Sequence, residues 1–140
     1  MKSNLEQAYR DTLYQVYLPS GAVALRVDQT DAHFERWLSE ENIAQWAILT
    51  AFNPGGVCYA DDDNNAVQSA LEIDLLEAGF EPYSGENIAA SGDWPNEQTC
   101  LVPHISLDLA LASARKFQQN AFIHGGADGV PRLIWVDREP

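Results

Sequence analysis

The sequence predicts an α+β protein with one mixed, largely antiparallel sheet and about four helices packed on it. Three observations support this fold class. Hairpin patterns lie towards both ends of the chain, four segments have helical periodicity, and no G-x-G-x-x-G follows any strand. With 140 residues and a 46% hydrophobic composition, residues 1–140 are expected to form a single globular domain with its own core.

The first third of the chain predicts a helix, a hairpin and a second helix. Ser3-Asn4-Leu5-Glu6 has the form of a capping box, and apolar residues then recur at helical spacing to about Leu13. YQVYL and AVALRV flank Pro19-Ser20-Gly21, which is typical of two short strands around a turn. Asp31 is expected to begin the second helix, whose apolar residues share one face.

The middle of the chain predicts a buried strand, a third helix and a loop. WAILT is an unbroken apolar run, which favours a central strand buried on both sides, and TAFNPGG leaves it. The third helix is expected from Asp63 to Ala78, with Gly79 as its stop. Its predicted inward residues are Val67, Ala70, Leu71, Leu75 and Ala78. Residues 80–98 predict a short strand beginning at Phe80 and then a long loop.

The last third predicts a strand, a helix and a second hairpin. TCLVP has the composition of a strand, and from Ser106 apolar residues recur at helical spacing. NAFIHGG and VPRLIWV then flank Ala127-Asp128-Gly129, which indicates a hairpin.

The charge distribution argues against two kinds of partner. Eight basic and 21 acidic residues give a net charge of −13, and no Lys or Arg occurs between Arg36 and Arg115. Binding to a phosphate backbone or an anionic membrane needs clustered cations, so we expect neither nucleic acid nor membrane as a partner. The polar N-terminus and the absence of a long apolar run predict a cytoplasmic protein.

Metal and nucleophile motifs are weak in this sequence. Asp61-Asp62-Asp63-Asn64-Asn65 with Glu72 imitates a calcium loop, but Ala66 stands where the loop needs Gly. We therefore expect these acids to cap the third helix, with a weak surface metal site as the alternative, and we assign no metal ligand. The three histidines lack ligand spacing, and neither Cys58 nor Cys100 has an obvious base beside it.

Three polar segments are candidates for a binding site. Pro54 is expected to hold Asn53 in an extended conformation at the end of the buried strand, with Gly55-Gly56 turning the chain away. Trp94-Pro95-Asn96-Glu97 places an aromatic ring beside a carboxylate, as in small-molecule pockets. The alternative is a Trp that covers the core edge and a Glu that bonds loop amides. Phe117-Gln118-Gln119-Asn120 is either turn chemistry or a polar pocket wall.

Several separated pieces of the chain resemble one known family. They are Tyr9-x-x-Thr12-x-Tyr14, LTAFNP, the Asn64 to Leu71 helix start, Trp94-Pro95-x-Glu97 and Arg115-x-Phe117-x-Gln119-x-Ala121. Together they are similar to a bacterial family of small single-domain proteins defined only as a domain of unknown function, uncharacterised family 3293. Gln98-Thr99 replaces a Pro-Ser pair of that pattern, where Thr99 could supply the hydroxyl. The resemblance implies no activity, but it groups Thr50, Asn53, Trp94, Glu97 and Gln119 in one pattern.

Two hypotheses of function follow. In the first, a pocket near Asn53 and Glu97 binds a small polar ligand, with Asn53 and Gln119 donating and accepting, Trp94 as an apolar wall and Thr50 nearby. If this pocket is catalytic, Glu97 is its general acid or base. The alternative is an acidic module without catalytic activity that binds a basic protein surface. Whether the protein is an enzyme, its cofactors and its oligomeric state stay open at this point.

Overall fold

The structure, a computed structural model, describes residues 2–90 and 94–136. Its helices are α1 (Lys2–Asp11), α2 (Ala32–Glu40), α3 (Asp61–Glu77) and α4 (Leu107–Lys116), with a short 3₁₀ turn at Pro54–Gly56. Its strands are β1 (Leu13–Leu18), β2 (Gly21–Leu25), β3 (Gln45–Leu49), β4 (Tyr83–Ile88), β5 (Glu97–Pro103), β6 (Ala121–Gly126) and β7 (Arg132–Trp135). Within this part of the chain, no helix is both long enough and apolar enough to cross a membrane.

The strands form one sheet in the order β2-β1-β4-β5-β3-β6-β7. Every neighbouring pair of these described strands is antiparallel, and β1/β2 and β6/β7 are the two predicted hairpins. The predicted α+β class is therefore confirmed, with antiparallel pairing throughout the described strands. α2 and α4 begin where expected, and Asp31 and Ser106 are their N-caps, because their side chains accept hydrogen bonds from Phe34 N and Leu109 N.

The sheet has an apolar core on each face. On the first, which we call the α2 face, strand residues such as Val16, Ile48 and Leu101 pack with Phe34, Trp37 and Leu38 of α2. On the second, the α3/α4 face, Leu49 and Val102 pack with Leu71 and Leu75 of α3 and Ala110 and Ala114 of α4. Successive residues of β3 alternate between the two cores, so the prediction of a strand buried on both sides is confirmed.

Two helix predictions need correction. α1 begins at Lys2, one residue before the predicted start at Ser3, and the side chains of Ser3 and Asn4 in the predicted capping box lie outside what the structure describes. α3 begins at Asp61, and its N-cap, Ala60, makes no capping hydrogen bond. The three aspartates therefore occupy the first turn, where they complement the positive end of the helix dipole but do not cap it.

The buried stripe of α3 also differs from the predicted one. Ala70 and Ala78 are exposed and Val67 is half-buried, whereas Asn64 and Gln68 are buried in line with Leu71 and Leu75. The apolar pattern predicts that Asn64 and Gln68 are exposed. They are buried because they accept hydrogen bonds from the backbone that follows β3.

Residues 80–98 are expected to form a short strand from Phe80 and then a long loop, and they do contain a short strand, β4, with a later start. The strand begins at Tyr83 and not at Phe80, and β4 pairs with both β1 and β5. Gly85 has a packing role inside this strand. A Cβ atom there would lie 2.5 Å from the Gln15 carbonyl oxygen, so the close approach of β1 requires glycine. Residues 91–93 of the predicted loop lie outside the described residues.

Candidate functional site

A cavity of about 310 Å³ lies at one end of the sheet. In an antiparallel sheet neighbouring strands run in opposite directions, so this end is where β3 and β4 finish and where β1, β5 and β6 begin. α1, the segment after β3 and the residues before β6 complete the walls. The volume is at the lower end of the range of about 300–1,000 Å³ for small-molecule pockets.

Asn53 leaves β3 in a left-handed conformation, with φ 50° and ψ 60°. The predicted extended conformation is therefore wrong. Pro54 does disfavour the right-handed helical region for the residue before it, but Asn tolerates the left-handed region. Hydrogen bonds hold Asn53 there: its N–H donates to Asn64 Oδ1 at 2.8 Å, and its Oδ1 accepts from Tyr59 N at 2.9 Å and from Asn64 Nδ2 at 2.8 Å.

The buried amides of α3 hold the segment that follows β3. Asn64 bonds both the backbone N–H and the side chain of Asn53, and Gln68 Oε1 accepts from Ala51 N at 2.9 Å. These side chains satisfy backbone N–H groups just beyond the end of the β3 ladder. Sequence reasoning missed this role for Asn64 and Gln68. The available signal was their spacing, which continues the helical stripe of Leu71 and Leu75.

Glu97 is fixed by two donors on one carboxylate oxygen. Its Oε2 accepts from Asn53 Nδ2 and from Trp94 Nε1, each at 2.8 Å. Asn53 itself is 4% exposed, so its amide serves to position Glu97. The predicted residues Asn53, Trp94, Glu97 and Gln119 all line the cavity. Their role in ligand binding stays a prediction.

Trp94 stands beside the carboxylate at the surface of the protein. The residue is 37% exposed, and its indole N–H donates to Glu97. It lines the cavity with one end towards solvent, which is the placement that an amphipathic aromatic side chain favours. The sequence left open whether Glu97 faces a pocket beside Trp94 or bonds loop amides. In the described structure it accepts hydrogen bonds from the side chains of Asn53 and Trp94, and not from loop amides.

Gln119 also holds the segment after β3. Its Nε2 donates to the carbonyl oxygens of Phe52 at 3.0 Å and Phe117 at 3.2 Å. The neighbouring Gln118 carbonyl accepts from Gly55 N at 2.7 Å. The amides after α4 therefore both shape a turn and line the cavity.

Thr50 lies below the main cavity. Its hydroxyl donates to the Gln98 carbonyl at 2.7 Å and accepts from Phe52 N at 3.1 Å. Thr50 lines a small inner cavity of about 30 Å³, which shares Tyr9, Tyr14, Glu97 and other wall residues with the larger one. A volume of this size can hold one or two water molecules.

The inner cavity contains polar atoms without a protein partner. Among the described residues, Asn87 Oδ1 and Thr99 Oγ1 are buried side-chain atoms that no hydrogen bond satisfies. Thr99 is only 1% exposed, and both residues line the inner cavity. Asn87 pairs directly with Glu97 across the strands, and Thr99 lies two residues further along β5 on the same face. These atoms mark a place where a bound polar group would gain hydrogen bonds.

Two tyrosines form the wall next to Glu97. Burial, together with the nearby Glu97 charge, raises the pKa of Tyr9 to about 12, although hydrogen bonding to Asn120 opposes the shift. Burial likewise raises the pKa of Tyr14, whose hydroxyl donates to the Tyr9 carbonyl at 2.9 Å. Both phenols are therefore neutral at physiological pH.

The cysteine and histidine side chains described next make contacts within the fold and lie outside the cavity walls. Burial raises the pKa of the Cys100 thiol far above its ordinary value, and its sulfur lies 3.7 Å from the Leu49 carbonyl oxygen, so it is a poor nucleophile. His124 bonds the Ile105 carbonyl at 3.1 Å, and His33 bonds Ser20 at 2.9 Å. Within residues 2–90 and 94–136, no cluster of three or more His, Cys, Asp or Glu side chains could hold a metal ion.

Comparison with known proteins identifies the family. The chain belongs to the family described as "protein of unknown function (DUF3293)", whose model matches residues 49–122. This range runs from the end of β3 into β6 and includes Thr50, Asn53, Trp94, Glu97 and Gln119, so the predicted family is confirmed. The Tyr9 to Tyr14 piece of the resemblance lies outside the matched range. No curated protein and no solved structure matched the chain.

Proposed function

We propose that this protein binds a small polar molecule in the cavity at the Glu97 end of the sheet. The observation that carries the proposal is the anchored carboxylate: two donors hold Glu97 Oε2, and the orientation of one of them is fixed by α3. Both donors bond the same oxygen, so Oε1 takes no part in the anchor. A polar group that is positioned before a ligand arrives loses little conformational entropy on binding.

The unsatisfied atoms beneath Glu97 support the same proposal. Leaving a buried polar group without a partner costs about 1–3 kcal/mol, so a ligand that bonds Asn87 Oδ1 or Thr99 Oγ1 recovers part of that cost. If the ligand reacts, we propose Glu97 as the general acid or base, because it is the carboxylate among the described wall residues.

The test is to block the cavity without removing any of its hydrogen bonds. Ala8 of α1 lines the cavity, and its side chain makes no hydrogen bond, so Ala8→Trp fills the space. Ala112 is an exposed alanine on α4 away from the described cavities, and Ala112→Trp is the matched control. We expect a thermal-shift screen of amino acids, amines, nucleotides and sugars to give a hit that Ala112→Trp keeps and Ala8→Trp loses. A hit that persists in Ala8→Trp would place binding elsewhere.

A second proposal, an acidic module that binds a basic protein surface, is supported by the charge of −13 and by the exposed Asp61, Asp62 and Asp63. The two proposals separate in one comparison. If the screen gives no hit but an immobilised protein retains a basic partner at low salt and releases it at high salt, the module is the better account.

A further inference from the structure

The charges around the cavity restrict its ligand. Among the described residues that line the main or the inner cavity, Glu97 is the only Asp or Glu, and none is Lys, Arg or His. The two wall tyrosines stay neutral because burial raises the pKa of each. An anionic ligand would therefore meet an uncompensated carboxylate, whereas a cation would be paired with it.

Hydrogen-bonding capacity restricts the ligand further. Several donors of the wall are already used within the protein: the indole N–H of Trp94 on Glu97, both amide hydrogens of Gln119 on carbonyls, and the Tyr14 hydroxyl on the Tyr9 carbonyl. Of the two unsatisfied atoms, Asn87 Oδ1 can only accept, and the Thr99 hydroxyl can either accept or donate. A ligand group that donates can therefore bond both of them.

The acceptors lie close together. Tyr14, Asn87 and Glu97 form one row across β1, β4 and β5, and Thr99 lies in the next row on the same face. Directly paired residues of neighbouring strands have Cβ atoms about 4.5–5.5 Å apart, so one ligand group can reach more than one of them. Above this row, the rings of Tyr9, Phe52 and Trp94 line the main cavity. Aromatic faces attract cations as well as apolar groups.

We propose that the ligand is a protonated primary amine on a compact apolar body. The ammonium group bonds Glu97, Asn87 and Thr99 at the inner end, and the body lies against the aromatic rings of the main cavity. This inference rests on the proposed function, since it names the chemical class that the same cavity binds.

Three probes with the same body and different heads test the inference. They are 2-phenylethylamine, 2-phenylethanol and phenylacetate, which carry a positive, a neutral and a negative group. Binding to the intact protein is followed by calorimetry and by the fluorescence of its tryptophans. We expect the amine to bind at least about tenfold more tightly than the alcohol, which is the gain from a charge-assisted hydrogen bond, and phenylacetate to bind most weakly.

Two variants assign the effect to the inner end of the cavity. Glu97→Gln keeps an oxygen that can accept from Asn53 and Trp94, and it should weaken amine binding about tenfold or more while changing alcohol binding little. Thr99→Val removes a hydroxyl that has no protein partner, so it should leave the fold intact and weaken amine binding about fivefold. Glu86→Gln is the control, because it also removes one negative charge. Glu86 precedes Asn87 in β4, so its side chain lies on the opposite face of the sheet from the Asn87 side chain.

The outcomes separate this inference from the proposal on which it rests. If the alcohol or phenylacetate binds as tightly as the amine, or if Glu86→Gln weakens amine binding as much as Glu97→Gln, the cation assignment is overturned and the pocket stands. If none of the three probes binds, the cation assignment is also overturned. The pocket itself then fails only if the wider screen gives no hit that Ala8→Trp abolishes.

Discussion

A second cavity, of about 210 Å³, lies at the opposite end of the sheet from Glu97, and the two ends differ in how their carboxylates are held. At this second end Glu41, Glu81 and His104 line the space, and all three are exposed. In the described part of the chain, neither glutamate bonds another side chain. Glu97, by contrast, accepts hydrogen bonds from the buried amide of Asn53 and from the indole N–H of Trp94.

The comparison shows that a cavity with a carboxylate is not by itself evidence of a site. An exposed carboxylate is solvated and free to rotate, so its position carries no information about a ligand. At the Glu97 end the donor Asn53 is itself held by Asn64, and the chain around it is held by Gln68 and Gln119. Such a chain of buried hydrogen bonds specifies one geometry.

The largest expected effect comes from Asn53→Ala. The change removes side-chain hydrogen bonds to Tyr59 N, Asn64 and Glu97, and it places alanine in a left-handed conformation. Each buried partner left unsatisfied costs about 1–3 kcal/mol, so we expect the free energy of unfolding to fall by about 3 kcal/mol or more in a denaturant titration. At the opposite end Glu81→Gln should change it by less than about 0.5 kcal/mol. Equal effects at the two ends would contradict the comparison.

A smaller loss is expected from Gln68→Leu. Leucine fills much of the same volume but leaves the buried Ala51 N–H without its acceptor, so stability should fall by about 2 kcal/mol. Asn65→Leu makes the corresponding change at an exposed site on the same helix and should be nearly neutral. If the two variants unfold at the same denaturant concentration, the α3 amides do not hold the end of β3 as described.

The smallest effect is expected at alkaline pH. Tyr9 has a pKa of about 12 in the folded protein, against an ordinary value of 10.0, so above pH 10 the unfolded chain loses this proton first. The stabilisation is therefore complete below pH 10 and is lost as the pH rises towards 12. Denaturant titrations from pH 8 to 11 should show a shallower alkaline loss in Tyr9→Phe than in the wild type. An identical loss in both proteins would show that the Tyr9 environment is not the cause.

Local signals explain which parts of the fold could be predicted. The apolar run of β3, the capped helices α2 and α4 and the two hairpins follow from short-range patterns, and the structure has all of them. The short strand predicted from Phe80 corresponds to β4, but its bounds were wrong, because Gly85 favours a loop locally although its role is close packing against β1. The polar residues of α3 were placed outside because helical periodicity counts apolar residues and carries no information about hydrogen-bond partners.

The sequence by itself determined the fold class, most of the elements and the residue types available for a site, including Asn53, Trp94 and Glu97. The tertiary structure decided that Asn53 bonds Glu97 from 44 positions away, that Asn64 holds Asn53 in a left-handed conformation, and that Asn87 and Thr99 lie unsatisfied beneath the carboxylate. The physical reason is strand register: residues far apart in the chain come together only once the strands have paired, and a shift of one residue would turn Glu97 to the other face.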